Sequence, residues 1–350
     1  MNKEICNGPS LRRQGQPARE GVVGRAFWGA FVLTLLGFAL AIAVNWFVPQ
    51  ISDGVKLKDY EIGPLTLTIN SAYRIVLSTL IVVYVALGLS ALKNNKRKAK
   101  YIHQSKLRFA MGVALAVWDV AGTKLQLLPQ PFFPGPAGIL EAFLVESGYI
   151  WQNTLYSLRL FAVGFVLGVA FGVITGILIG WFPRVYYWVS PVLNLTGVIP
   201  AVAWMPFALT LLPTPFSAAA FLIVICAWFP IASLTAAGVQ STPRAQFEAA
   251  RTLGGNTSYL IFHVAIPHAL PQIFTGICSA NGFAFTTLVM AEMMGQPGGL
   301  GYYINASKVW SAYYKVFAAI LVMAIMFSLI MKGINAVRNR VLRWQRGLVK

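Results

Sequence analysis

Residues 239–269 read VQSTPRAQFEAARTLGGNTSYLIFHVAIPHA, between two long uncharged stretches. Thr242 suits an N-cap and Pro243 the first helical position, which predicts a short helix over 244–253. Gly254-Gly255 then supplies a left-handed stop. Asn256 or Thr257 caps a second short helix, which the spacing carries through Val264 and ends at Ile266-Pro267. The first helix holds Glu248-Ala249-Ala250, a charge beside two side chains small enough for close approach. Taken alone, such a pair of helices is an amphipathic connector lying on a membrane surface. Whether it is more depends on its surroundings.

Those surroundings are apolar. Of 350 residues, 57% are hydrophobic and 11% charged, under half of the roughly 25% charged residues of an average soluble domain. Mean hydropathy is +0.66. Disorder, a disulfide scaffold and an ordinary cytosolic enzyme are excluded, and an all-α polytopic membrane protein is indicated. A crossing helix needs about 20 mostly apolar residues. Eight stretches qualify: 26–48, 75–92, 109–128, 160–182, 187–211, 216–238, 273–291 and 316–331, the third weakened by Asp119 and Lys124. Cys6, Cys226 and Cys278 have no framework spacing, and Cys226 and Cys278 fall in apolar runs, which reads as reduced, buried and inert thiols.

The net charge of +18 is a topology signal. With the N-terminus inside, inner segments hold 21 Lys and Arg and outer segments 7, which places both termini in the cytoplasm. A nucleic-acid partner would need one folded basic face instead. Arg12-Arg13 lies too far from the first apolar run for a twin-arginine signal, and that run is too long for a signal-peptide core. Lys93–Lys100 (KNNKRKAK) reads as an inner flank, with anionic lipid its bolder partner.

Chemistry-bearing motifs are missing. There is no GxxxxGK[ST], HExxH or CxxC, and His263 and His268 are five apart, on different helix faces. No catalytic residue, metal or cofactor is therefore assigned to the chain itself. Gly295–Gly301 (GQPGGLG) follows no strand and reads as a tight re-entrant turn.

Within the spans, Gly164, Gly168, Gly172, Gly176 and Gly180 recur every four residues and share a face, a helix-packing groove before it is a pore lining. Pro191, Pro200 and Pro206 predict kinks beside Trp204 and Met205, and broken helices in transporters expose backbone to a solute. Ser279, Asn281, Thr286 and Thr287 add hydrogen-bonding groups in the penultimate span. These six, Trp204 to Thr287, are the candidate translocation-pathway residues, with helix–helix hydrogen bonding as the competing role. Asp119 calls for a structural partner such as Lys124 or Arg159, because burying its charge is costly. Glu292 reads as an outer helix-end residue, with a gating role open to it.

The spaced set Glu248-Ala249-Ala250, Gly254, Val264, Ile266-Pro267 resembles the EAA loop of ABC importer permeases, EAA-x3-G-x9-I-x-LP, with Val264 and Ile266 as conservative replacements. Leu128–Phe143 (LPQPFFPGPAGILEAF), Trp151–Arg159 (WQNTLYSLR), Ala227–Ile231 (AWFPI), Ala291–Met293 (AEM) and Gly298–Tyr302 (GGLGY) are similar to the nitrate/sulfonate/taurine group of that family. The resemblance runs from about Phe109 to the C-terminus. It implies a type I ABC importer transmembrane domain: a six-span core over 109–334 with its coupling loop at 239–269. Two extra N-terminal spans and a basic linker (26–108) and basic tails at 1–25 and 335–350 flank it.

By that resemblance Glu248, Ala249, Ala250, Gly254, Ile266 and Pro267 couple the chain to a cytoplasmic ATPase subunit, which would hold ATP and Mg. A periplasmic or lipid-anchored substrate-binding protein, a homodimer of the permease, membrane lipid and a bacterial inner-membrane location are likewise implied, and no nucleic acid. The implied cargo is sulfonate-, taurine- or nitrate-like, or a thiamine-precursor-like compound. Residues 1–108 have no counterpart in the group, and Gly282-Phe283-Ala284-Phe285 stands where many relatives read Gly-Arg-Ala-Trp. That exchange removes a cation that would partner an anion in low dielectric. The rival readings are an ion-gradient transporter or channel, which needs intramembrane relays beyond Asp119, and a membrane-embedded enzyme, which needs a nucleophile–base or metal constellation.

Overall fold

The computed structural model describes residues 16–49, 60–62 and 65–344. Cys6, Arg12-Arg13, Lys56, Lys58 and the last residues of the C-terminal tail lie outside the described residues. The chain forms two units, 1–141 and 142–350.

In the first unit, α1 (Gln16–Phe47) and α2 (Ile69–Leu92) are linked through a short antiparallel hairpin, β1 (Tyr60–Ile62) and β2 (Leu65–Leu67), with Tyr60 opposite Leu67. Thr68 caps α2 by accepting from the Ser71 amide at 3.3 Å, and Asn94 caps α3 (Asn95–Asp119) by accepting from Lys96 at 2.9 Å. Phe38, Ala41, Ile69, Tyr73, Leu77 and Ala116 form the core between the three helices. The helix of the third expected span stops at Asp119 rather than at Leu128. It passes into a π turn, Val120–Lys124, and Pro129 and Pro131 prevent any resumption. The chain doubles back so that Gly135 packs on Gly122, and α4 (Pro136–Val145) follows. Asp119 takes its hydrogen bond from neither Lys124 nor Arg159: Asn45 Nδ2 of α1 donates to it at 2.8 Å.

The second unit begins with α5 (Ser147–Trp181), which packs along α8 (Pro215–Gln240). Between them lie α6 (Pro183–Val198), a 3-10 turn at Ala201–Trp204 and α7 (Met205–Leu211). The single span expected over 187–211 is instead a pair of helical segments bent by 103°. Pro200 forces Ile199 out of the helical region (ψ 122°), whereas Pro191 stays within α6 and Pro206 sits in the first turn of α7, where its missing N–H costs nothing. After α8 come α9 (Arg244–Thr252), α10 (Thr257–Tyr259), a π segment Leu260–Ala265, α11 (Ile266–Met293), α12 (Leu300–Val309) and α13 (Tyr313–Val341). Leu222, Ile223, Ile231, Ala280, Leu288 and Met205 lie at the centre of this unit.

Among the described residues six helices are long and apolar enough to cross a membrane, or seven if the bent pair is one span. The chain is thus a multi-pass membrane protein, and its described residues are helical apart from one small hairpin. α3 does not meet that measure, because Lys96, Arg97, Lys98, Lys100, Lys106 and Arg108 interrupt it.

Candidate functional site

α9 is a nine-residue helix with no buried side chain of its own. So short a helix is marginal in water without help, and three local features supply it. At its C-terminus the Gly254 N–H donates to Arg251 O and the Gly255 N–H to Ala250 O, both at 2.9 Å, a Schellman stop that requires the left-handed φ of +83° found at Gly254. Asn256 Oδ1 then accepts from the Tyr259 amide at 2.8 Å and starts α10. The third feature is an anchor. Phe247, the only large apolar side chain of α9, packs edge to face on Trp181 at the end of α5, ring centroids 5.4 Å apart, beside Val239, Ala265 and Ala269.

At the N-terminus Thr242 is not the cap: it is buried with its hydroxyl unpartnered, and Pro243, in extended geometry (ψ 135°), takes the cap position through its carbonyl. The second helix does not end at Ile266-Pro267 either. The helical run is continuous over Thr257–Met293, because Pro267 falls in the first turn of α11 and the π segment before it shifts the Ile266 amide onto Ile261 O. The loop is therefore a short rigid helix joined to a membrane helix by a π turn.

Its outer surface is open. Glu248 and Ala249 are exposed and Ala250 half-buried, while Leu253 (88%), Phe262 (65%) and Tyr259 stand free, Tyr259 stacked on His263. Gly254 is exposed, and Ile266 and Pro267 are half-buried at the root.

The five glycines of the repeat in α5 all face α8. A Cβ at Gly164, Gly168, Gly172, Gly176 or Gly180 would come within 2.5–2.8 Å of the Cβ of Ile223, Ala227, Ile231, Thr235 or Val239 respectively. The two backbones thus touch along five successive turns. The pathway candidates do not form one lining. Ser279 and Thr286 lie on an exposed face of α11, whereas Asn281 (0%) and Thr287 are buried on another, Thr287 donating to Cys226 Sγ at 3.1 Å. Met205 is core, and Trp204 is half-buried with its indole N–H unpartnered.

At the opposite end of the unit, polar groups tie the Gly295–Gly301 turn. The amides of Gly299, Leu300 and Gly301 donate to Asn153 Oδ1, Ser157 Oγ and Glu292 Oε2 at 3.0, 2.8 and 2.8 Å, so Glu292 sits buried at the start of α12. Gln296 accepts from Tyr156 at 2.9 Å and donates to Pro215 O at 2.5 Å. Glu146 pairs with Lys315 and accepts from Tyr303 at 2.7 Å. Burial pushes the Glu146 carboxyl up, but the hydrogen bonds from Lys315 and Tyr303 outweigh it and hold the group below the usual carboxylate range. The Tyr303 hydroxyl is raised, by burial first and then by Glu146. Sequence reasoning missed Phe247, Trp181 and the Glu146–Lys315 pair. Only Phe247 carried a local signal, as the lone bulky apolar side chain in a polar helix.

Residues 168–346 match the family of binding-protein-dependent transport system inner membrane components. The chain is similar to the taurine transport system permease protein TauC of Escherichia coli, 30% identical over 67% of this chain and 87% of that protein. It is also similar to the putative aliphatic sulfonates transport permease protein SsuC of Bacillus subtilis, 31% identical over 67% of this chain and 85% of that protein. The nitrate import permease protein NrtB of Synechococcus elongatus is 28% identical over 62% of this chain and 81% of its own length.

Proposed function

The chain belongs to the family of binding-protein-dependent inner-membrane components of ABC transporters, and on that premise we propose that it is the permease subunit of an ATP-driven importer working by alternating access. In this reading α9 is the coupling helix, with Glu248, Ala249, Ala250 and Gly254 meeting a groove on a separate ATPase subunit and Ile266 and Pro267 carrying the motion into α11. The ATPase holds ATP and Mg, and this chain makes and breaks no bond. A substrate-binding protein delivers the solute from the other side, and two copies of the permease form the pathway. Eight spans, with α3 as the third, put both termini and the 239–269 loop in the cytoplasm of a bacterial inner membrane.

One observation carries the reading. α9 is exposed on the faces a partner would grip, yet fixed to the membrane helices at Phe247. A push on α9 reaches α5 through Trp181 and α11 through the π segment, and α5 moves with α8 because their backbones touch along the glycine line. The break between α6 and α7, where Trp204 keeps an unpartnered N–H, is the natural place for solute contact. The solute is small and sulfonate-, taurine- or nitrate-like, or thiamine-precursor-like. Phe283 and Phe285 leave that part of α11 without a cation, which favours a solute of no net charge.

The test is co-purification from mild detergent, with mass spectrometry of whatever accompanies the tagged chain. The wild type retains an ABC ATPase, and the Glu248→Lys variant, equally abundant in the membrane, does not. Equal recovery by both, or none by either, refutes the coupling assignment.

A further inference from the structure

Resting on the eight-span topology above, we propose that the N-terminal hairpin of α1 and α2 is an intramembrane escort for α3: it covers Arg108 and Asp119 so that this charged helix crosses the bilayer. α3 runs level with α1. Tyr101 packs against Phe27, Gly112 against Gly37, and Asp119 bonds to Asn45. Residues 101–119 therefore track residues 27–45, and at about 1.5 Å per residue either stretch is about 27 Å long, close to the hydrocarbon thickness.

Three charges lie on that stretch: Lys106 is exposed on the inner half, where its long side chain reaches the inner interface, and the other two, Arg108 and Asp119, are covered by the hairpin. The Arg108 guanidinium lies 5.2 Å over the Tyr84 ring of α2 and 4.3 Å over the Tyr101 ring, and donates to Gln104 Oε1 at 2.9 Å. Tyr101 is itself held by α2, its hydroxyl donating to Tyr84 O at 3.2 Å. Asp119 is 0% exposed and accepts from Asn45 of α1 at 2.8 Å. The backbones come close enough for this because two glycines meet: a Cβ on Gly112 would stand 2.4 Å from the Gly37 carbonyl carbon.

α1 has no charge between Ala26 and Phe47, and α2 has only Arg74, near its outer end, so both enter a membrane unaided. α3 does not, since a charge left facing lipid at mid-membrane shifts insertion by roughly a hundredfold. The hairpin thus converts a helix too polar to insert into a stable span.

The experiment uses the full chain with Cys6, Cys226 and Cys278 replaced by Ser and with Leu127→Cys, a 72% exposed position beyond the outer end of α3. Spheroplasts are treated with a membrane-impermeant maleimide. The background chain is labelled. Adding Gly112→Leu wedges α3 from α1 and lowers labelling at least about tenfold, by the insertion cost of its charges. Adding Arg108→Leu and Asp119→Leu to that variant restores it, because α3 then crosses alone, with Lys106 reaching the inner interface as it does in the wild type. Unchanged labelling in Gly112→Leu, or a loss that persists once the two covered charges are removed, overturns the escort. An unlabelled background chain overturns the topology itself, a failure visible before any α3 substitution is made.

Discussion

Phe247→Ala isolates the anchor of α9. The ring is half-buried, against Trp181 on one side and Val239 and Ala265 on the other. A fully buried Phe costs about 3–5 kcal/mol when cut to Ala, so a half-buried one costs about 2. That figure includes the edge-to-face pair with Trp181, worth about 1. The caps at Gly254 and Asn256 are untouched, so the loss falls on docking rather than on helix ends. A 2 kcal/mol loss raises the undocked fraction about thirtyfold, since 1.4 kcal/mol is tenfold. Hydrogen–deuterium exchange on the purified protein reads this directly. Amides of Ala249–Leu253 exchange about thirtyfold faster in the variant where reclosing outpaces exchange, so that the rate follows the open fraction, while amides of α8 and the centre of α11 do not change. With the partner ATPase present, ATP hydrolysis persists and uptake per ATP falls, because the push no longer reaches α5. Unaltered exchange across α9 refutes the claim that Phe247 holds it. Altered exchange with unaltered uptake refutes the claim that the anchor transmits force.

Two further predictions concern the second unit. Gly176→Val places a Cβ 2.5 Å from that of Thr235 and must spread α5 from α8; overpacking of this kind costs about 1–3 kcal/mol. The melting temperature in detergent falls by several degrees, while the exposed glycine Gly148, with open space around it, tolerates Ala without a measurable shift. Glu146 is held below the usual carboxylate range, so its tie to Lys315 and Tyr303 adds stability above about pH 4.3, the unfolded value, and loses it as pH falls through the folded value. Melting temperature therefore drops as pH goes below about 4 in the wild type, and Glu146→Gln is already lower at pH 7 and flatter in that window.

How far the sequence could be read depended on the range of the interaction. The stop at Gly254 and the start at Asn256 are local: each needs only residues within one turn, and each is visible in the order of letters. The four-residue repeat of Gly164–Gly180 states that the glycines share a face. It does not state which helix covers that face, and the answer, the line from Ile223 to Val239, lies on another element. Asp119 shows the limit more sharply. Its partner Asn45 is 74 residues away, whereas Lys124, five residues on, is the nearer charge along the chain. Prolines mislead for a different reason. Pro267 after a helix and Pro267 in the first turn of the next one obey the same rule, the absent N–H, and only the continuous π segment shows that the second applies.

The same consideration explains why α9 is built as it is. Nine residues with polar faces cannot hold helical form in isolation, and nothing in α9 is buried deeply enough to impose it. Its shape comes from the glycine stop at its C-terminus and from one aromatic contact worth about 1 kcal/mol. That leaves the exposed face free of structural duty: Glu248 and Ala249 have nothing to support, and Leu253 and Phe262 stand in the open at a cost that a covering partner would remove. A surface helix serving only as a connector would turn such side chains inward. Here the one large apolar side chain of α9 turned inward is Phe247, and it points at the end of α5. Under the proposed function, force applied to the exposed face has that ring as one exit and the π turn as the other.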